Sequence, residues 1–317
     1  MKVIRINHPH QYLQSEFPEI AVALGYFDGV HLGHQLVIKE AIKKANNHGW
    51  KSAVMTFDPH PSVVLGKSDQ RVSYITPLSE KINLIENLGI DYLFIVHFTL
   101  EFANLLPQEF IDQYIIGLNV KHVVAGFDYA YGRMGKGNME TIPFHSRGMF
   151  DSTIIPKFVL DEEKVSTTRI RAELNAGNVE VLPTLLGRHY ATTGTVIHGE
   201  KRGRTIGFPT ANIDVGEDYL LPPTGVYAVR IKVGQTWYGG VCNRGYKPTF
   251  HQNLNKETIE VHIFDFDGQI YDQSVTVEWH LRLRSEQKFN GIEELVTQIE
   301  KDKQNALSYF MCKFSAE

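Results

Sequence analysis

Gly25-Tyr26-Phe27-Asp28-Gly29-Val30-His31-Leu32-Gly33-His34 stands between an apolar run, Ile20-Ala21-Val22-Ala23-Leu24, and a helical pattern over Leu36 to Asn46. Strand, glycine-rich turn and helix N-terminus is the geometry that receives phosphate. The first N–H groups of a helix lack intrahelical partners, and the helix dipole favours an anion there. His31 and His34 are three apart where the turn enters the helix, so both imidazoles can face the same anion. A zinc pair is the competing reading, but zinc wants three or four ligands. The two cysteines, Cys242 and Cys312, are distant and have no C-x-x-C spacing.

The surrounding pattern repeats this unit. Apolar strand candidates are Ile20–Gly25, Ser52–Phe57, Tyr92–Phe98, His122–Gly126 and Ser152–Phe158, with helical patterns at Gln35–Asn47, Leu78–Leu88 and Gln108–Leu118. Pro77 and Pro107 occupy first-turn positions, and Gly49 and Gly89 occupy helix-ending ones. Near-continuous apolar strands alternating with helices predict a parallel sheet covered on both faces, with ligands beyond the carboxyl ends of its strands. From Tyr190 the pattern changes to short alternating strands with glycine-rich turns: Tyr190–Ile197, Val226–Val233, Thr236–Val241, Thr258–Phe266 and Val275–Leu283. That predicts an antiparallel barrel or sandwich, closed by a helix from about Ile292 to Phe310. Helical stretches at Thr168–Ala176 and Val179–Leu186 bridge the halves. The pattern shifts near residue 184, with the break at Leu186–Gly187, and the expected modules are 1–184 and 185–317.

The chain has 317 residues, 43% hydrophobic and 21% charged, with net charge −4, which suits two globular domains. No long basic run supports a nucleic-acid partner. No apolar stretch approaches the roughly 18 residues of a membrane span. Met1-Lys2-Val3-Ile4-Arg5 leads into a polar segment rather than a signal sequence, and two cysteines make no disulfide framework. A cytoplasmic location without a membrane partner is expected.

Three clusters accompany the first turn. Thr56-Phe57-Asp58-Pro59-His60-Pro61 follows a strand, and its prolines restrict the directions of Phe57 and Asp58. Gly126-Phe127-Asp128-Tyr129-Ala130-Tyr131-Gly132-Arg133 interleaves aromatics, glycines and an acid, a composition suited to stacking a flat ring. Val165-Ser166-Thr167-Thr168-Arg169-Ile170-Arg171 places hydroxyls before arginines at a helix start. It is either a plain N-cap with a solvated basic face or a phosphate clamp. In the second half, Gly194, Gly199, Arg202-Gly203-Arg204 and Gly207-Phe208-Pro209-Thr210-Ala211-Asn212 offer glycines that admit phosphates. Thr210 and Asn212, two apart, present hard oxygens of the kind Mg²⁺ selects. No Walker A loop is present. Over Ile259–Phe266, Ile259, Val261 and Ile263 alternate with Glu260, His262, Phe264 and Phe266, which puts a carboxylate on a face otherwise carrying aromatics.

The H-x-G-H pair resembles the signature of the nucleotidylyltransferase superfamily. Gly25–His34, Thr56–Pro61, Gly126–Gly132 and Val165–Arg171, in this order, resemble the FMN adenylyltransferase module of prokaryotic bifunctional riboflavin kinase/FAD synthetases. Thr167 stands where that family's S-S-T-x-I-R element has a serine, and Asp128 where some members carry Asn. Gly187–Phe266, with its P-T-A-N tetrapeptide, and Leu283–Phe289 resemble the riboflavin kinase module.

The resemblance implies an N-terminal Rossmann-like parallel sheet and a C-terminal six-stranded antiparallel β-barrel. It implies that riboflavin is phosphorylated to FMN, and FMN adenylylated to FAD, with ATP as co-substrate and Mg²⁺ as metal. His31 and His34 would stabilise the α-phosphate transition state without a covalent intermediate. Gly25, Phe27, Asp28, Gly33, Asp128, Ser166, Thr167 and Arg171 would hold nucleotide, and Phe57, Asp58, Pro59 and Phe127 flavin. In the kinase half, Gly199, Arg204, Gly207, Thr210 and Asn212 would hold nucleotide, Thr210 and Asn212 also the metal. Asn243 and Arg284 would meet the flavin, and Glu260 would be the general base. The rivals are another nucleotidylyltransferase, such as a cytidylyltransferase, and a flavin sensor with lost catalysis. The kinase-like second half argues against the first, and the intact site residues against the second.

Overall fold

The computed structural model describes all residues except 67–71, 161, 200–201, 217, 249–254 and 315–317. The chain forms two compact units, Met1–Arg169 and Ile170–Glu317.

The first unit is built on strands β1 (Lys2–Ile6), β2 (Ile20–Leu24), β3 (Lys51–Asp58), β4 (Tyr92–His97), β5 (Val120–Gly126) and β6 (Asp151–Ile155). Their order is β1-β4-β3-β2-β5-β6, and every neighbouring pair is parallel. Helix α1 (Leu32–His48) follows β2, and α2 (Leu78–Glu86) precedes β4. All five residues of β2 are buried. That burial explains an unbroken apolar run: both faces of a covered parallel strand leave water, worth about 1.5–3 kcal/mol for each large aliphatic side chain. β2 lies between β3 and β5, so the chain departs to one side and later returns on the other. A crevice opens at the carboxyl end of β2, where Gly25 begins the turn into α1.

Two differences from the expected elements stand out. β1 was not expected; only Ile4 and Ile6 of its side chains are buried, so as a half-buried edge strand it shows little apolar pattern. The helical pattern at Gln108–Leu118 becomes a single α-turn, Pro107–Phe110, followed by a π-helical stretch, Ile111–Ile116.

After α3 (Thr167–Ala176), which spans the division between units, the second unit contains β7 (Tyr190–Ile197), β8 (Ala211–Asp214), β9 (Gly225–Val233), β10 (Thr236–Pro248), β11 (Asn255–Ile263) and β12 (Ser274–Arg284). They close into a barrel in the order β7-β8-β11-β10-β9-β12, all antiparallel. Trp279 and Tyr227 fill its centre edge-to-face at 5.2 Å. Their polar ends are satisfied: Trp279 donates to Thr192 Oγ1 at 3.2 Å and Tyr227 to the Pro223 carbonyl at 2.6 Å. Helix α4 (Ile292–Phe314) packs on β9, β10 and β12, with Ala306 against Ala228 and Phe264.

The alternation expected over Ile259–Phe266 stops early. β11 ends at Ile263, and Asp265 takes a left-handed conformation (φ 51°). Phe264 still shares the face of Glu260 and His262 and packs there against Ala228 and Ala306, and the alternation fails only beyond it. In the stretch Asn243-Arg244-Gly245-Tyr246-Lys247-Pro248-Thr249-Phe250, which belongs to the kinase-like pattern in sequence, Thr249 and Phe250 lie outside the described residues.

Candidate active sites

In the first unit the turn after β2 is held in an unusual path by Phe27 (φ 58°), Gly29 (φ 84°) and Val30 (φ 41°). His31 caps α1, its Nδ1 accepting the His34 N–H at 3.2 Å. A neutral imidazole that accepts at Nδ1 carries its proton on Nε2. The His31 and His34 rings stack at 3.5 Å, and Phe27 meets His34 edge-on. Burial, then the charges of His31, Lys81 and Lys164, hold the His34 pKa well below the usual histidine value. Its Nδ1 is buried and, among the described residues, has no hydrogen-bond partner.

A cavity of about 430 Å³ opens on this turn. Gly25, Phe27, His31, Gly33 and His34 line it together with Phe57, Phe127, Asp128, Ser166 and Thr167, so three clusters far apart in sequence converge. Ser166 Oγ accepts the Arg169 N–H at 3.2 Å, which makes it an N-cap as well as a cavity wall. Asp28 does not line the cavity. Its carboxylate is buried and accepts the Thr76 N–H at 3.0 Å, pinning the turn from behind. Asp58 and Pro59 also stay outside the lining, and Arg171 belongs to the second unit.

A second cavity of about 480 Å³ adjoins the first. Both are lined by Phe57, Pro61, Tyr129 and Ala130; Phe98, Phe102, Leu105, Phe110 and Tyr131 add an aromatic and aliphatic wall. Sequence reasoning missed most of this wall, and also Lys157 and Lys164 in the first cavity. Lys164 donates to Asp128 at 2.7 Å and lies 4.6 Å from the Phe127 ring centre.

In the second unit, strand register assembles the site. Asn212 of β8 stands opposite Glu260 of β11, and Glu260 opposite Asn243 of β10. Asn243 in turn stands opposite Val226 of β9, and Val226 opposite Arg284 of β12. A register shift between Val226 and Tyr227 ends this row and re-aims the end of β12. Val226, Asn243, Glu260 and Arg284 line a cavity of about 350 Å³ together with Thr210, Phe208 and His262. His262 donates Nδ1–H to the Pro209 carbonyl at 2.9 Å, which ties β11 to the P-T-A-N segment. A Cβ on Gly199 would run into the Asn212 amide, so the chain needs glycine for that approach. Gly199, Arg204, Gly207 and Asn212 are not in the cavity lining; Gly203 and Ile206 are.

Helix α4 supplies a wall that no motif announced. Asp302, 2% exposed, accepts from Arg284 Nε at 3.0 Å and Nη2 at 2.9 Å, and from Gln298 at 2.8 Å. Arg284 also donates to the Ser285 carbonyl at 3.1 Å. Among the described residues no group of three His, Cys, Asp or Glu side chains is arranged to hold a metal, and no helix is long and apolar enough to cross a membrane.

Fold and site together define a parallel-sheet phosphate-binding module followed in sequence by a closed-barrel module. The family models for FAD synthetase and riboflavin kinase match residues 13–169 and 186–310. The chain is 53% identical to the bifunctional riboflavin kinase/FMN adenylyltransferase of Bacillus subtilis, over 98% of each chain. It is 47% identical to that of Listeria monocytogenes, again over 98% of each. A crystal structure described as a macrolide-efflux protein from Streptococcus pneumoniae superposes with TM-score 0.87 at 33% identity, over 96% of this chain and 99% of that one. The chain belongs to the bifunctional riboflavin kinase/FMN adenylyltransferase family.

Proposed function

We propose that the two units carry successive steps of flavin cofactor synthesis. The chain is a bifunctional enzyme: it phosphorylates riboflavin to FMN with ATP, then adenylylates FMN to FAD with release of pyrophosphate. The observation that carries this reading is the pair of separate convergences, His31 and His34 with Ser166 and Thr167, and Glu260 with Asn212, Asn243 and Arg284. The chemistries divide as 1–184 and 185–317, a division supported by family matches over 13–169 and 186–310.

In the barrel, the riboflavin 5′-hydroxyl oxygen attacks the γ-phosphorus of ATP. The bond from that phosphorus to the β,γ-bridging oxygen breaks, ADP leaves, and Glu260 takes the hydroxyl proton. Arg284, Asn243 and the α4 wall hold the flavin. Thr210 and Asn212 offer a hydroxyl and an amide oxygen and no carboxylate cage. That donor set fits Mg²⁺, which keeps waters and substrate phosphates as its other ligands. The metal, when bound, neutralises phosphate charge.

In the sheet unit, an FMN phosphate oxygen attacks the α-phosphorus of a second ATP, and the bond to the α,β-bridging oxygen breaks. His31, donating from Nε2, and His34 stabilise the charge that builds on the α-phosphate. Ser166, Thr167 and Lys164 hold the triphosphate. The aromatic second cavity takes the isoalloxazine ring, and its shared wall at Phe57 and Tyr129 brings the FMN phosphate to the nucleotide. Both reactions use small molecules and ATP, which places them in the cytoplasm without a nucleic-acid or membrane partner.

Incubating the protein with riboflavin, ATP and Mg²⁺ and resolving riboflavin, FMN and FAD over time tests the reading. FMN is expected first and FAD after a lag. Incorporation of CMP in preference to AMP would favour the cytidylyltransferase alternative, and flavin binding without turnover the sensor.

A further inference from the structure

Lys81 lies on α2 and is 1% exposed, yet it carries an ammonium group. Its Nζ donates to the Tyr26 carbonyl at 2.9 Å, and the same carbonyl accepts from Thr56 Oγ1 at 2.8 Å. The Nζ also lies 3.8 Å from the Tyr26 ring centre. Among the described residues no carboxylate stands within ion-pair distance of it, although Asp28 and Asp58 are close enough to favour its charge. Burying an ammonium costs far more than burying a methionine of similar length. Packing alone therefore gives no reason for a lysine on this inner face. Tyr26, however, is the second residue of the phosphate-receiving turn, and Gly25 and Tyr26 both line its cavity.

We propose that Lys81 is a positioning residue for adenylyl transfer. From beneath the turn it fixes the Tyr26 carbonyl and holds a positive charge behind the place where the triphosphate binds. A desolvated charge acts over this range far more strongly than one in water. It also contributes to keeping His34 neutral in the free enzyme. This inference rests on the adenylyl-transfer reading of the same cavity.

The proposal has a pH signature. Burial lowers the Lys81 pKa to about 8, against the opposing pull of Asp28 and Asp58. The other groups facing it are Tyr26, hydrogen-bonded to Tyr74 and kept protonated by burial, His60 against the Tyr26 ring, and neutral His34. Lys81 is thus charged below about pH 8 and neutral above it. Adenylyl transfer should fall as pH rises through that value.

The test measures FAD formation from FMN, ATP and Mg²⁺ between about pH 6.5 and 9.5, with riboflavin phosphorylation by the same preparation as control. In wild type kcat/KM for FAD formation is expected to fall above about pH 8. In Lys81→Met it should be lower by about 10–100-fold and lose that limb, with unchanged kinase activity and a melting temperature no lower than wild type. Lys81→Arg should recover part of the activity and keep it to higher pH. Full FAD formation by Lys81→Met overturns the proposal. If that variant fails to fold, a wild-type profile flat from about pH 7 to 9 overturns it instead. Absence of FAD formation by wild type would count against the adenylyl-transfer reading itself.

Discussion

Replacing Gly33 by alanine separates the placement of His31 from the stability of the fold. A Cβ at position 33 would stand 3.1 Å from His31 Cε1 and 3.2 Å from Nδ1, closer than ordinary contact. The imidazole is only 6% exposed and already stacks on His34 at 3.5 Å, so it must give by a few tenths of an ångström. Moving it loosens the hydrogen bond by which it caps α1, a loss of about 1 kcal/mol. Alanine is the better helix residue by up to about 1 kcal/mol, so the two effects nearly cancel and the melting temperature should barely move. Catalysis has no such offset. Misplacing a charge-stabilising group by about 1 Å can cost about 10²-fold, so this smaller shift should lower FAD formation by about ten- to a hundredfold. Riboflavin phosphorylation, assayed in the same tube, is the internal control and should be unchanged. Wild-type FAD formation by a folded Gly33→Ala protein would refute the role of His31 placement. Equal loss of both activities would show that the substitution acts through the fold.

Glu260→Gln should reduce kinase turnover by about 10²–10⁴-fold, the usual contribution of a positioned base, while FAD formation from supplied FMN continues; initial rates of both steps decide it. Asp302→Ala leaves the Arg284 guanidinium without its buried partner. Denaturant unfolding should show a loss of about 3 kcal/mol, the low end for breaking a buried pair because Arg284 reaches water, with a raised riboflavin KM. In the second unit His189 and His280 stack at 3.8 Å, and burial lowers both pKa values, His189 to about 4. The unfolded chain then binds protons first as pH falls below about 6.5. Stability is full above that value and declines toward pH 4, by about 5 °C or more in melting temperature between pH 7 and 5. His189→Phe should flatten the decline.

Residues whose role depends on their own neighbours in sequence were legible before the structure. The all-apolar run Ile20–Leu24 announced a strand covered on both faces, and His31 and His34 announced a site because turn and helix start bring them together unaided. Residues whose role depends on another element were not. Lys81 and Asp302 look like solvated charges in helical patterns, since periodicity says which face of a helix is apolar but not what it packs on. Asp28 looked like a ligand because its turn is one, yet its carboxylate is taken by Thr76 from a different segment. Phe264 keeps the face that alternation gives it, but nothing in local alternation marks the single left-handed residue, Asp265, beyond which the pattern stops. Strand identity was readable in the barrel, but cross-strand register, which puts Asn212, Glu260 and Asn243 side by side, was not.

The row across the barrel also makes the second site a late product of folding. Asn243 and Glu260 meet when consecutive strands β10 and β11 pair. Asn212 reaches Glu260 only when β8 docks on the far side of β11, and Arg284 reaches Val226 only when β12 returns to β9. Those contacts close long stretches of chain, and such closures are the slow steps in β-rich folding. Recovery of riboflavin phosphorylation after dilution from denaturant therefore times the closing of the barrel, where compaction or secondary-structure signals would report earlier events. Regained activity in step with the first compaction would contradict that order.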